Sequence, residues 1–139
     1  MIIDCQHHFY PRALAEKHGY RPGETSIWYE NAEYWLTFSD ALVQIEEHLK
    51  QMDMAGIDVA VLHCLEPPRD ECKAINDSLA ELQKRYPGRF VGLAHLPVFS
   101  TKEAIEELDR AVNVLGLRGI AVITQPEYRP LDSPELWPF

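Results

Sequence analysis

Asp40–Cys64, DALVQIEEHLKQMDMAGIDVAVLHC, is the stretch whose reading decides the fold class. Leu42, Ile45, Leu49 and Met52 recur at spacings of three, four and three, which draws one apolar stripe along a helix. Thr37, Ser39 and Asp40 are capping candidates before it, and Gly56 is a stop after it. The next residues, IDVAVLHC (Ile57–Cys64), form a short apolar run rich in β-branched residues, the pattern of a strand buried on both faces.

The same succession repeats outward. Asp70–Tyr86 carries Ile75, Leu79, Leu82 and Tyr86 at helical spacing and ends at Pro87-Gly88; FVGLAHL (Phe90–Leu96) then reads as a strand. Ser100-x-x-Glu103 matches a capping box leading into Ile105, Leu108, Val112 and Leu115, with Gly116 closing the helix and GIAVIT (Gly119–Thr124) as a further strand. Upstream, residues 2–8 begin apolar and turn polar, as a parallel strand does at its carboxyl end. Between this strand and the first helix, an aromatic-rich insertion at about 10–38 contains Pro11, Gly19, Pro22 and Gly23 with Tyr20, Trp28, Tyr29, Tyr34, Trp35 and Phe38, and it reads as a loop or a partly structured segment. Alternating strand and helix predict an α/β protein, one domain over 1–139, with right-handed crossovers and a parallel sheet of about four strands. Asp132-Ser133-Pro134-Glu135 has the composition of a helix start with little more than one turn after it. That predicts a helix interrupted by truncation, the alternative being a short 3₁₀ turn. At 139 residues the chain is too short for a complete (β/α)8 barrel, which takes about 250. No glycine-rich phosphate loop follows any strand, which counts against a flavodoxin-like open sheet.

Lys+Arg of 13 against Asp+Glu of 22 gives a net charge of −9, which repels nucleic acid and anionic lipid. The opening MIIDCQHHFYP has neither a basic n-region nor an apolar core, and no window could span a bilayer, so no membrane association and a cytoplasmic location are expected. Cys5, Cys64 and Cys72 form no C-x-x-C pair and suit reduced thiols. Strand alternation puts Asp4, Gln6 and His8 on one face of the first strand, with Cys5 and His7 on the other. At the mouth of a parallel barrel a His-x-His would offer two imidazoles to one divalent ion; here the residues are Gln6-His7-His8.

MIIDCQHHFYP, MDMAGIDVAVL, AINDSLAELQKRYPGRFVGLAHLPV, and ELDRAVNVLGLRGIAV followed by RPLDSPELWPF resemble, in order, successive segments of the amidohydrolase-related family of the aminocarboxymuconate semialdehyde decarboxylase type. The resemblance implies the first half of a TIM-type (β/α)8 barrel. It also implies a divalent metal, zinc or manganese, serving hydrolysis, hydration or non-oxidative decarboxylation of a small carboxylated substrate. His8 matches the second of the family's two first-strand metal ligands. Gln6 stands where the first is expected, and the later histidines and aspartate are expected beyond Phe139. A glutamine oxygen is a poorer zinc partner than imidazole, so this chain is expected to bind metal weakly or not at all. As an isolated chain it is expected to be inactive.

His63 ends the second strand and His95 lies near the end of the third, where a barrel faces substrate, and they are the candidate catalytic residues. Trp28, Tyr29 and Trp35 are candidates for binding a planar or aromatic acid from above, or simply pack the insertion or a subunit contact. His18 and His48 are assigned no role. The expected partners are a small-molecule substrate and either a second copy or a separate carboxyl-terminal half. The competing reading is a non-catalytic α/β half-barrel, a binding or regulatory module that has lost its metal site.

Overall fold

The computed structural model describes residues 1–139 except 31–32, 66, 98–100, 123–129 and 139, with backbone alone at 30, 33, 34 and 135. Three parallel strands form the sheet in the order β1 (Ile3–His8), β4 (Val59–His63), β5 (Phe90–Gly92). The helices expected between them are present. α3 (Ile45–Ala55) leads into β4, and α4 (Cys72–Arg85), entered through the 3₁₀ turn Arg69–Glu71, leads into β5. α3 ends as its glycine requires: Gly56 has φ 70°, and Ile57 N–H donates to Met52 O at 2.8 Å, closing the last turn in a left-handed cap.

Four expectations need correction. The described residues of the segment at 10–38 carry regular structure, and several of its aromatic side chains lie in the core. It contains α1 (Arg12–Lys17) and an antiparallel hairpin of β2 (Ser26–Glu30) and β3 (Glu33–Phe38), a second sheet of two strands. Tyr10, Tyr20, Trp28 and Phe38 are buried in one cluster with Met52, Leu62, Leu79 and Phe90. Each such side chain contributes on the order of 1.5–3 kcal/mol by leaving water.

The helix expected from Asp40 breaks at Gln44, whose ψ of 112° is extended, giving a short α2 (Asp40–Val43) before α3. Tyr20 lies at the break, donating to Asp40 Oδ1 at 2.6 Å and accepting from Gln44 Nε2 at 2.8 Å.

The strand expected over Phe90–Leu96 ends at Gly92, and the one expected over Gly119–Thr124 is a single parallel bridge between Ala94 and Ile120; Ile123 and Thr124 lie outside the described residues. The ladder stops because a side chain replaces it. Asn76 Oδ1 accepts from His95 N–H at 2.8 Å, and its amide donates to His95 O at 2.9 Å. Among the described residues the sheet is therefore three parallel strands and a bridge.

Downstream, α5 (Lys102–Asp109) is capped by Thr101, whose hydroxyl accepts from Ala104 N–H at 3.2 Å. The cap expected at Ser100 lies outside the described residues. α5 runs on into a π-type turn over Arg110–Val114. Near the end, Pro134–Leu136 is a 3₁₀ turn with proline at its start, the alternative that the sequence left open. Among the described residues no helix is long and apolar enough to cross a membrane.

Candidate active site at the carboxyl ends of the parallel strands

β1 does not keep the alternation expected of it. The parallel register runs Ile3↔Val59 and Asp4↔Ala60, then His7↔Leu62 and His8↔His63, so one extra residue of β1 is accommodated between Asp4 and His7. Asp4 fastens this bulge. Its Oδ1 accepts from Gln6 N–H at 3.1 Å, and Oδ2 lies 2.8 Å from His7 Nδ1. Asp4 and His7 consequently meet, although strict alternation would part them, and Gln6 is exposed. The His7 bond first, and the Gln6 amide second, hold the Asp4 carboxyl below its ordinary range.

Beyond His7 the chain of contacts continues inward. His7 Nε2 is 2.7 Å from Nδ1 of His48 on α3. With Asp4 accepting, His7 donates from Nδ1, and a neutral ring then accepts at Nε2 from His48 Nδ1–H. Burial, followed by the neighbouring His7, pushes the His48 imidazole down to about 4. Sequence reasoning gave neither His7 nor His48 a place here. The available signal was spacing: His48 falls three residues after Ile45 and four before Met52, on the inward stripe of α3.

The register pairing brings His8 and His63 side by side, with ring centroids 4.6 Å apart and planes at 90°. His8 Nε2 is buried without a hydrogen-bond partner among the described residues. Burial, then His63 and His7, lower the His8 imidazole below its ordinary value, which favours the neutral ring, the form in which imidazole ligates a metal. One residue beyond β4, Cys64 N–H donates to His95 Nε2 at 2.9 Å, so the third histidine joins the same edge. His95 is 5% exposed, and burial pushes its imidazole down to about 4. The sequence-derived residues His8, His63 and His95 are thus gathered at one carboxyl edge, while Gln6 stands apart on the exposed side of the bulge.

The aromatic candidates divide. Trp28 is buried, stacked on His18 at 3.6 Å and packed against Phe38 and Trp35, whereas Tyr29 and Trp35 are exposed. His18 has a function in the fold that its sequence position did not suggest: it bonds Glu71 Oε1 at 2.8 Å.

A divalent ion needs three or four protein ligands. Among the described residues no group of three or more His, Cys, Asp or Glu side chains could hold one. His8 Nε2 is a free imidazole nitrogen, but it lacks companions. The described residues of this chain therefore do not make a complete metal site.

A mixed α/β chain with titratable side chains at the carboxyl edge of a parallel sheet defines the class to which enzymes of (β/α) architecture belong. The amidohydrolase family profile matches residues 3–139, and the chain belongs to that family. It is 34% identical over 128 residues to the gamma-resorcylate decarboxylase of Rhizobium radiobacter, covering 84% of this chain and 36% of that protein. It is 38% identical over 69 residues to the 2-amino-3-carboxymuconate-6-semialdehyde decarboxylase of Dictyostelium discoideum, covering 50% of this chain and 19% of that protein. Among solved structures, it resembles 5-carboxyvanillate decarboxylase from Novosphingobium aromaticivorans, with bound manganese and 3-methoxy-4-hydroxy-5-nitrobenzoic acid, at 28% identity and a TM-score of 0.64. That match covers 71% of this chain and 32% of the other. The chain spans about a third of the length of the Rhizobium relative.

Proposed function

We propose that this chain is the amino-terminal part of an amidohydrolase-family enzyme that removes the carboxyl group of a small carboxylated aromatic acid without oxidation. The observation that carries the reading is the meeting of His8, His63 and His95 at one carboxyl edge, with His8 Nε2 buried and unpartnered. In a decarboxylation the bond from ring carbon to carboxylate breaks, CO2 leaves, and a proton takes its place on the carbon. The chain's share would be to orient the acid with His63 and His95, to receive it beneath the exposed Tyr29 and Trp35 of the hairpin, and to offer His8 as one ligand of a zinc or manganese ion. The other ligands would come from the portion of the barrel that this chain does not span. Hydrolysis of a related substrate is the alternative reaction, and a cytoplasmic enzyme with reduced cysteines fits both.

The experiment joins this chain to the remaining portion of the Rhizobium gamma-resorcylate decarboxylase. Expected is turnover of gamma-resorcylate with release of CO2, abolished by His8→Ala, while the 139-residue chain alone shows none because its described residues do not make a ligand set. A folded chimera inert toward carboxylated aromatics would overturn the reading. A second reading, a non-catalytic half-barrel, is favoured by the absence of a three-ligand cluster among the described residues, and is distinguished by the same chimera.

A further inference from the structure

Asn76 is fully buried on α4, four residues after Cys72 and three before Leu79, where helical packing alone would ask for an apolar side chain. A buried amide of this kind is stable only when its donors and acceptor are matched. Here they are matched to the N–H and C=O of one residue, His95, and to one carboxylate. Oδ1 accepts from His95 N–H at 2.8 Å, while Nδ2 donates to His95 O at 2.9 Å and to Glu107 Oε1 at 2.7 Å. Glu107, itself 1% exposed, receives Arg110 Nε at Oε2 and Nη2 at Oε1, and Arg110 Nη1 also reaches Asp77 at 2.6 Å. The result is a network running from the π-turn after α5, through α4, to His95, three residues beyond β5. In it the amide of Asn76 occupies the place of a neighbouring strand.

The network fixes more than backbone. With His95 held at both of its peptide groups, its ring meets Cys64 N–H at Nε2. An amide N–H can only donate, so that nitrogen must be bare, and a neutral imidazole then carries its proton on Nδ1. Such a ring has no acceptor left to take a proton from substrate, but retains a donor for an oxygen.

We propose that Asn76 is a positioning residue of the strand-end site: by clamping the His95 peptide it imposes the Nδ1–H tautomer, which makes His95 a hydrogen-bond donor to an acceptor oxygen of the substrate, a carboxylate or phenolic oxygen, and not a general base. The assignment of substrate rests on the proposed function; the assignment of the tautomer does not. Burial keeps the ring neutral over the ordinary pH range, consistent with a value pushed down to about 4.

The test is long-range proton–nitrogen NMR of the imidazoles in the full chain, with amide exchange at Cys64. Expected in the wild type is a bare, hydrogen-bonded Nε2 and a protonated Nδ1 on His95, with a Cys64 amide protected against exchange. Asn76→Asp keeps the acceptor for His95 N–H but removes the donor to His95 O and faces Glu107 with a like charge. In that variant the His95 nitrogens should average between tautomers, and Cys64 protection should fall at least tenfold. Glu107→Gln leaves an oxygen for the Asn76 amide, so it should lower stability while the His95 signature stays, which separates positioning from loss of fold. A wild-type His95 protonated at Nε2, or an unchanged signature in folded Asn76→Asp, overturns the proposal. In the chimera described above, loss of turnover with the tautomer intact would count against the decarboxylase reading alone.

Discussion

Gly92, the last residue of β5, has no room for a side chain. A Cβ there would lie 2.7 Å from Leu117 Cδ2 and 3.0 Å from Leu79 Cβ, closer than packed carbon atoms tolerate. Gly92→Ala is expected to destabilise the fold by about 1–3 kcal/mol through overpacking, seen as a lower urea midpoint; an unchanged midpoint would contradict it. His48 and His95 set a pH dependence. Both imidazoles are pushed to about 4, first by burial and then by a neighbouring histidine, so between that value and the unfolded pKa of about 6.5 the unfolded chain binds more protons than the folded one. Stability should therefore fall as the pH is lowered from about 6.5 towards 4, with a slope of at most about 2.7 kcal/mol per pH unit for the two groups together. Urea titrations at several pH values would check this, and a flat profile over that range would mean the rings are solvated.

At the scale of elements, Glu71 joins the insertion to the entry of α4. It is 3% exposed and accepts from Tyr10 Oη at 2.9 Å, Lys17 Nζ at 2.7 Å and His18 Nε2 at 2.8 Å. Burial raises its carboxyl, but the bonds from Lys17, Tyr10 and His18 outweigh burial and leave it below its ordinary value. A depressed carboxylate contributes stability above the unfolded pKa of about 4.3 and loses it as pH falls through the folded value. Glu71→Ala leaves the buried Tyr10 hydroxyl without its acceptor and removes the partner of Lys17 and His18, at an expected cost of about 1–3 kcal/mol. Since His18 stacks on Trp28, the same change should shift tryptophan emission to longer wavelength before global unfolding. If emission and global unfolding move together, the insertion is not a separately docked unit.

For the whole molecule, β1 pairs only with β4 among the described residues, and Ile2, Ile3 and Cys5 beside its other edge are exposed. An unpaired strand edge invites another strand, while a net charge of −9 opposes indiscriminate aggregation. The expected state at micromolar concentration is a dimer or a larger defined species, by sedimentation velocity. A monomer with sharp, concentration-independent thermal unfolding would show that the edge is protected within one chain.

How much of this was legible beforehand depended on the range of the interaction. The stripe through Leu42, Ile45, Leu49 and Met52, the stop at Gly56 and the apolar run through Val59–His63 are local consequences of helical and strand periods, and the order of α3, β4, α4 and β5 follows from them. The gathering of His8, His63 and His95 was legible for the same reason, since His8 and His63 close β1 and β4, His95 follows β5, and parallel strands end on one edge. Other features were written in no local pattern. The bulge that turns His7 towards Asp4 and His48, the break of the helix at Gln44 beside Tyr20, and the end of β5 before Asn76 takes the His95 backbone all depend on partners 19 to 41 residues away or on their consequences for register. The glycines and prolines of the insertion show where the chain turns and allow a loop or a partly structured segment, whereas the burial of Tyr10, Tyr20, Trp28 and Phe38 depends on what lies opposite them. Sequence periodicity thus determined which elements form and in what order; tertiary packing decided where the ladders stop and which polar groups meet, because a buried donor must find an acceptor wherever the fold places one.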